Sequence, residues 1–325
     1  MKLPLLAKSS PASCNSPESL QPLLDAFILR CKAKSLSPGS VRWYKDKLGP
    51  FLAFLEGIKI TAAKDISPTH IRAYLEHLRE EGQCSGTIYR AYTGLGTFFG
   101  FLLKEDFITS NPMLLVEKPK RVKRLIQAFS MEQIRALLDQ FDHNNFPHLR
   151  TRTLTILLLD TGLRISEGLG IKKDDVNLQS NTIRVLGKGG KERDVPFGAT
   201  AKQAIMQYLM RIGEIPGQEL LFINRFGGGV NRRTIQRQLQ LYAGKAGIKG
   251  VRPSPHTLRH TFATQYILNG GDAFSLQRIL GHSTLDMVRV YVDMANSNVA
   301  LQHKKFSPMD RLGPVSGIGR KVAIK

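Results

Sequence analysis

The first third of the chain carries apolar residues at helical spacing, interrupted by short polar breaks. Three of these patterns begin with Ser-Pro, at residues 16–17, 37–38 and 67–68, and a fourth covers residues 85–108. Serine favours the N-cap of a helix, and proline suits the first helical position because its missing N–H has no partner there. Leucine and aromatic residues then recur three or four positions apart, as on one face of a helix. These patterns predict a bundle of four or five helices.

We expect this bundle to form a first domain of residues 17–117, preceded by a disordered segment of residues 1–16 that is rich in serine and proline. Residues 118–129 lack helical periodicity and are basic. We interpret them as an interdomain linker whose charge suits crossing a phosphate backbone, although a solvated loop would have the same composition. The basic residues of this linker are Lys118, Lys120, Arg121, Lys123 and Arg124.

A second domain is expected over residues 130–300, followed by a basic tail of residues 301–325. Its helical pattern begins with Ser130 and Gln133, which have the spacing of a capping box. A long apolar helix then ends at Gly162. Further helical patterns follow toward the C-terminus, over residues 200–212, 231–246, 255–269, 273–280 and 284–292.

A change of periodicity interrupts the helices at residues 181–198. Apolar residues such as Ile183 and Val185 alternate with polar ones, and a glycine-rich turn containing Lys188 follows. Alternation on both sides of such a turn predicts a β-hairpin with Lys188 at or near its tip. The fold class is therefore mainly α with a small β-sheet (α+β).

The charge of the chain points to a polyanionic partner. The 325 residues include 47 Lys or Arg against 26 Asp or Glu, a formal net charge of +21. A lysine or arginine that approaches a phosphate releases a counterion, so nucleic acid is the partner that this charge favours. A solvated basic surface is the alternative. A membrane surface is disfavoured, because no basic amphipathic segment lies beside an apolar run.

Cysteine usage and hydropathy indicate the compartment. Cys14, Cys31 and Cys84 are widely spaced and form no Cys-x-x-Cys motif, which argues against a disulfide framework or a cysteine zinc site and is typical of a reducing cytosol. No run of 18 apolar residues occurs, and the apolar stretch at the N-terminus is too short for a secretion signal. We therefore expect a soluble, cytoplasmic protein that does not enter a membrane.

The segment SPHTLRHTFAT, residues 254–264, raises the question of a metal site, because four positions separate His256 from His260. A zinc hydrolase helix would carry glutamate where Thr257 stands. Arg259 also shares a helix face with His256, and its permanent positive charge would repel a metal dication. A histidine and an arginine at the start of a helix instead suit an anion such as phosphate. His260 is expected to point into the core.

Three further segments carry residues of similar chemistry. In TGLRISE, Arg164 follows a helix break and Glu167 could hold it, although a simple surface ion pair is the alternative. Lys188 lies between glycines, which allow a backbone to approach a ligand closely, but the spacing is not that of a Walker loop. His282 stands at the junction of two helical patterns. Tyr291 follows nine positions later and, taken alone, would be a packing residue.

Together these motifs resemble the tyrosine recombinase (phage integrase) family, in particular Xer-like two-domain integrases. The order is Gly-Leu-Arg-x-Ser-Glu, Gly-Lys-Gly, His-x-Leu-Arg-His, Leu-Gly-His and then tyrosine, across residues 161–291. The resemblance implies a helical, SAM-like core-binding domain before a mixed catalytic domain. The implied catalytic set is Arg164, Lys188, His256, Arg259, His282 and Tyr291. The matching supporting positions are Glu167, Asp175 and His260.

The chemistry that this resemblance implies is phosphoryl transfer between DNA strands. Tyr291 would attack a scissile phosphate to give a 3′-phosphotyrosine and a free 5′-hydroxyl, and strand exchange would pass through a Holliday junction. Because the number of phosphodiester bonds is unchanged, no ATP, metal or other cofactor is required. The implied partners are double-stranded DNA with a specific recombination site, other copies of the chain in a homotetramer, and an accessory DNA-bending or directionality factor. Candidate DNA contacts besides the linker are Arg232 and Arg233.

Three other functions remain open at this point. A type IB topoisomerase would use similar chemistry but rejoin the same strand. A DNA-binding module without catalysis would have no need of Tyr291 or Lys188. A zinc hydrolase is suggested by the spacing of His256 and His260 but disfavoured by Thr257 and Arg259.

Overall fold

The described part of the protein is mainly helical with one small sheet, which confirms the predicted α+β class. The chain divides into two compact units, residues 1–124 and residues 125–325, and the predicted domain boundaries at residues 117 and 130 stay predictions. None of the described helices is long and apolar enough to cross a membrane. The computed structural model describes residues 20–120, 127–187, 190–213, 215–282, 284–285, 288–289, 291, 303–304 and 307–308.

In the described part of the first unit, four α-helices surround one core. The Ser-Pro starts predicted for the second and third helices are confirmed: Ser37 Oγ accepts the N–H of Ser40 at 3.2 Å, and the N–H of Ser67 donates to Nδ1 of His70 at 3.1 Å. The first Ser-Pro lies outside the described residues. The helices are α1 Leu20–Ala33, α2 Pro38–Gly57, α3 Pro68–Glu80 and α4 Ser85–Lys104.

Aromatic side chains fill the core of this unit. Phe27 meets Phe98 edge to face with ring centroids 5.5 Å apart, and Phe51 meets Tyr74 in the same way at 5.1 Å. Burial of each large apolar side chain contributes about 1.5–3 kcal/mol, and edge-to-face pairing adds to it. The first unit therefore has a core of its own, as an independently folding bundle requires.

The second unit is built around α6, which has buried residues on all its faces. The predicted capping box before α5 is confirmed, because Ser130 and Gln133 exchange hydrogen bonds of 3.2 and 3.0 Å. The predicted stop at Gly162 is also confirmed, since that residue ends α6 in the left-handed conformation at φ 62°. The helices are α5 Met131–Leu138, α6 Phe146–Thr161, α7 Ile165–Leu169, α8 Ala199–Ile212, α9 Arg232–Lys245, α10 Pro255–Leu268 and α11 Ala273–Leu280.

The sheet contains the predicted hairpin. Strand β2 (Thr182–Leu186) pairs antiparallel with β3 (Glu192–Pro196), and a short strand β1 (Val176–Asn177) pairs with the other edge of β2. Strand β1 was not predicted, because two residues are too few to show alternation. Lys188, at the predicted tip, lies outside the described residues. The predicted helix over residues 284–292 also lies largely outside them.

Candidate active site

Arg259 joins three segments of the second unit that are far apart in sequence. From α10, its Nη1 donates to the carbonyl oxygen of Gly162 at 2.7 Å, and its Nη2 donates to that of Leu280 at 2.9 Å. Both carbonyls lie at helix C-termini, where backbone oxygens lack intrahelical donors and the helix dipole favours a cation. Nη2 also lies 2.7 Å from Nε2 of His282. The motifs of α6, α10 and α11 therefore meet at one guanidinium.

The Arg259 side chain is buried, with 5% of the residue exposed. Burial and the neighbouring positive charge of Arg164 lower the pKa of Arg259 to about 10. That value still leaves the guanidinium charged near neutral pH. The site therefore holds a fixed cation whose direction is set by two backbone carbonyls.

Arg164 is anchored by Glu167, as the sequence predicted. Its backbone N–H donates to Oε2 of Glu167 at 2.8 Å, and its Nη1 donates to Oε1 at 3.0 Å. The carboxylate is nearly buried, whereas 39% of the Arg164 side chain is exposed and accessible to a ligand. Burial alone would raise the pKa of Glu167, but hydrogen bonds from Arg193 and Arg164 outweigh it, and the pKa lies below its ordinary value. Glu167 therefore stays ionised and holds Arg164 in place.

His282 contributes a neutral imidazole to the site. Burial, followed by the charges of Arg259 and Arg164, lowers the pKa of His282 to about 4. Since an arginine can only donate, the short contact with Arg259 requires Nε2 of His282 to accept. The ring proton then lies on Nδ1, which is buried and has no hydrogen-bond partner among the described residues.

His256 lies one turn before Arg259 on the exposed face of α10. Partial burial of its ring and the charge of Arg259 lower the pKa of His256. The ring is therefore neutral near pH 7 and can accept a proton. His260, on the next turn, is buried at 4% exposure and points inward as predicted.

Tyr291 belongs to a small apolar cluster between α10 and α11. Its ring centroid lies 5.2 Å from that of His260, and 9% of the residue is exposed. Burial raises the pKa of Tyr291, while the nearby charge of Arg259 lowers it in part. The phenol therefore lies within the electrostatic reach of the arginine and remains protonated at neutral pH.

The charge of the pocket favours an anion. Arg164, Arg193 and Arg259 are its cations, and Glu167 is the only carboxylate in the described part of the chain that forms an ion pair with any of them. Guanidinium groups match phosphate oxygens with paired N–H donors. Across the residues that the structure covers, no group of three or more His, Cys, Asp or Glu is placed to bind a metal ion.

Not every residue predicted for the site lies in it. The Asp175 carboxylate accepts the N–H of Lys172 at 3.2 Å in a local turn, and its supporting role stays a prediction. Arg232 and Arg233 are exposed at the start of α9. Lys118 Nζ lies 5.1 Å from the ring centre of Tyr89, in the first unit. The predicted residues that lie outside the described ones are Lys188, Arg121, Lys123 and Arg124.

Arg193 of β3 belongs to the site but was missed from the sequence. Its guanidinium donates to both oxygens of Glu167, at 3.2 and 3.0 Å. The signal was present in the alternation of β3, where Arg193 shares the inward face with Val195. A charged residue at an inward position needs a partner, and that requirement could have identified it.

Comparisons with known proteins show which family the chain resembles. The Phage integrase family matches residues 127–298, and the N-terminal SAM-like domain of phage integrases matches residues 25–106. The tyrosine recombinase XerC of Halalkalibacterium halodurans is 33% identical over 296 residues, which cover 88% of this chain and 97% of the relative. The tyrosine recombinase XerD of the same organism is 32% identical over 281 residues, which cover 85% of this chain and 93% of the relative.

Two solved structures have the same fold. The crystal structure of the XerH site-specific recombinase bound to a palindromic difH substrate has a TM-score of 0.71 and 22% identity, covering 86% of this chain and 83% of XerH. The crystal structure of a lambda integrase tetramer bound to a Holliday junction has a TM-score of 0.69 and 19% identity, covering 83% of this chain and 79% of the lambda integrase chain. With the family matched over both units, the chain belongs to the phage integrase family and is a tyrosine recombinase that carries out site-specific recombination.

Proposed function

We propose that Tyr291 is the nucleophile of this recombinase and that Arg164, Arg259, His256 and His282 surround the scissile DNA phosphate. The observation that supports this most directly is the Arg259 network, which joins Gly162, Leu280 and His282 within 2.7–2.9 Å of one guanidinium. This network brings the separate sequence motifs to one basic pocket, with the Tyr291 phenol close to it. Simple DNA binding would not require a buried phenol beside an anion pocket.

Strand cleavage in this proposal is a balanced exchange of bonds. The phenolic oxygen of Tyr291 forms a bond to phosphorus, and the bond from phosphorus to the 5′-oxygen breaks. The phenol gives its proton to a base, and the departing 5′-oxygen takes a proton from an acid. In the second step, the 5′-hydroxyl of a partner strand attacks the 3′-phosphotyrosine and releases the tyrosine. The number of phosphodiester bonds is conserved, so the exchange needs no ATP.

The arginines stabilise the negative charge that gathers on the phosphate oxygens. Arg164 and Arg259 are held in fixed directions by Glu167 and by backbone carbonyls, so they need little reorganisation when the phosphate arrives. Loss of one such preorganised donor typically costs about 2.7–4 kcal/mol of barrier. These two residues therefore supply the main electrostatic contribution to the proposed reaction.

The two proton transfers are assigned to His256 and Lys188. His256 is neutral near pH 7 and can take the proton of the Tyr291 phenol. His282 is neutral and contacts Arg259 through Nε2, and we place its ring beside the phosphate without assigning it a proton transfer. Lys188, which follows from the family motif Gly-Lys-Gly, is the proposed acid for the 5′-oxygen. Because Lys188 lies outside the described residues, its role rests on the sequence alone.

DNA binding is assigned to exposed basic residues. Arg232 and Arg233 begin α9, a helix without acidic residues, and Asn231 caps it by accepting the N–H of Arg233 at 2.8 Å. A helix start with free N–H groups and arginines suits a phosphate. The linker residues Lys118 and Lys120 would add further contacts. By analogy with the lambda integrase tetramer on a Holliday junction, we expect a homotetramer on DNA, inside the bacterial cytoplasm, with an accessory DNA-bending or directionality factor.

Covalent trapping tests the assignment of the nucleophile. A binding site is first selected from a random-sequence duplex pool, and nicked versions of that duplex are then incubated with the protein and quenched in detergent. The wild type is expected to form a covalent protein–DNA adduct, and Tyr291→Phe to form none while it binds the duplex equally well. An adduct of equal yield with Tyr291→Phe would move the nucleophile to another residue. Relaxation of supercoils without any exchange between sites would instead favour a topoisomerase.

A further inference from the structure

Arg193 is a charged residue on the inward face of the hairpin. Along β3, Glu192 and Asp194 are exposed, whereas Val195 is buried and the Arg193 side chain is only 15% exposed. A guanidinium at such a position loses most of its hydration, and the loss has to be offset by hydrogen bonds to protein groups. The position therefore demands specific partners.

Those partners belong to two other elements of the site. The two terminal nitrogens of Arg193 donate to the two oxygens of Glu167 in a fork, at 3.2 and 3.0 Å. Its Nε donates to the carbonyl oxygen of Ile279 in the last turn of α11, at 3.0 Å. The guanidinium also lies against Gly281, where an added Cβ would be 3.0 Å from Cζ of Arg193. One side chain thus connects β3, α7 and the C-terminal end of α11.

We infer that Arg193 is a positioning residue for strand cleavage, which acts on Arg164 through Glu167 and on Arg259 and His282 through the end of α11. The inference rests on the proposed function, because it assumes that these three residues surround the phosphate. Arg193 itself is not assigned a contact with DNA.

Competition for Glu167 gives the physical reason. Arg193 donates one hydrogen bond to each carboxylate oxygen, so Arg164 holds the carboxylate through Nη1 and its backbone N–H only. Without Arg193, both oxygens would be free to form a fork with Arg164 and draw its guanidinium away from the phosphate. The Glu167 carboxylate would also lose its strongest partner in a nearly buried position.

The end of α11 supplies the second route. Ile279 precedes Leu280, whose carbonyl oxygen accepts from Arg259, and His282 follows two positions later. The hydrogen bond from Arg193 to the Ile279 carbonyl therefore fixes the turn that orients the Leu280 carbonyl and the His282 ring. A displacement of about 1 Å in such groups can lower a rate about 100-fold.

The test compares Arg193→Gln, Arg193→Lys and Glu167→Gln with the wild type on the selected nicked duplex. We expect Arg193→Gln to bind the duplex with an affinity within about twofold of the wild type and to form the covalent adduct about 10- to 100-fold more slowly. Arg193→Lys keeps the charge but cannot form the paired hydrogen bonds to Glu167. Its cleavage rate should therefore lie between those of the wild type and Arg193→Gln. In the double variant with Glu167→Gln, the combined rate loss should be smaller than the product of the two single losses, because both variants disturb the contact between Arg193 and Glu167, whereas only the Arg193 variants lose the hydrogen bond to Ile279.

The matched control is Arg184→Gln on the neighbouring strand β2. Arg184 pairs with Asp194 at 3.8 Å, and both side chains are largely exposed, at 63% and 66%, so its loss should leave the cleavage rate unchanged. Wild-type rates in both Arg193 variants would overturn the inference, as would rate losses that multiply with that of Glu167→Gln. If Arg193→Gln does not fold, the inference is tested by Arg193→Lys alone, and a wild-type rate of adduct formation in that variant would overturn it. Failure of the wild type to form any adduct would instead overturn the proposed function.

Discussion

The carbonyl oxygen of Gly162 lies 2.7 Å from Nη1 of Arg259, although 97 positions separate the two residues. The hydrogen bond forms because α6 ends abruptly at Gly162, whose φ of 62° turns the chain away from the helix axis. Glycine is needed there for a second reason. An added Cβ would lie 2.3 Å from Cδ1 of Phe262 and 2.7 Å from Cδ2 of Leu280. The carbonyl oxygen of residue 162 can therefore reach Arg259 only if residue 162 has no side chain.

Substitution of Gly162 by alanine should therefore destabilise the second unit strongly. Left-handed backbone strain and overpacking against Phe262 add up to about 3–5 kcal/mol of lost unfolding free energy. The matched control is Gly247→Ala, since Gly247 has a similar φ of 65° but open space around its Cβ position. That variant should lose only about 1–2 kcal/mol. Urea unfolding of both variants measures the difference, and equal losses would contradict the steric argument.

Arg259 should not tolerate replacement by lysine. A lysine keeps the charge but cannot reach the carbonyls of Gly162 and Leu280 with a planar fork, so the remaining cation would be poorly directed. We expect Arg259→Lys to lower the rate of covalent adduct formation about 100- to 1,000-fold. The rate should be measured at saturating DNA, with circular dichroism to verify folding. A rate within threefold of the wild type would show that charge alone suffices.

The pH dependence of stability should depend on His282. Its pKa in the fold is about 4 against an ordinary value of 6.5, so the unfolded chain binds a proton below about pH 6.5 that the folded ring does not take up. The unfolded state then holds more protons, and the free energy of unfolding falls as the pH drops from about 6.5 toward 4. His282→Asn should lose less stability than the wild type between pH 7 and pH 5. Parallel stability curves for the two proteins throughout that interval would contradict the prediction.

Much of the fold could be predicted from local chemistry. Ser37, Ser67 and Ser130 begin helices as their sequence context indicates, and the alternation around Ile183 gives the hairpin. These features depend on residues within a few positions of one another. Strand β1 could not be predicted, because its two residues gain their structure only from pairing with β2.

The site was predictable in its motifs but not in its connections. The sequence indicates that Arg164 needs Glu167, since the two lie three positions apart at a helix start. It does not indicate that Arg193 would share that carboxylate from 26 positions away. Nor does it indicate that Arg259 would bind backbone carbonyls, because any residue can provide a carbonyl and only the fold decides which one.

The salt dependence of DNA binding should distinguish arginines that contact DNA from arginines that do not. Arg232 and Arg233 are exposed at the start of α9, which has no acidic residues to offset their charge. If each contacts a phosphate, then Arg232→Gln and Arg233→Gln should each lower the slope of log binding constant against log salt by about 1. The control is Arg79→Gln in α3, whose charge is already offset by Glu76 three positions earlier. Fluorescence anisotropy over a range of salt gives these slopes. An unchanged slope in both α9 variants would exclude this helix from the DNA contacts, whereas an equal fall in the Arg79 variant would make the effect one of net charge.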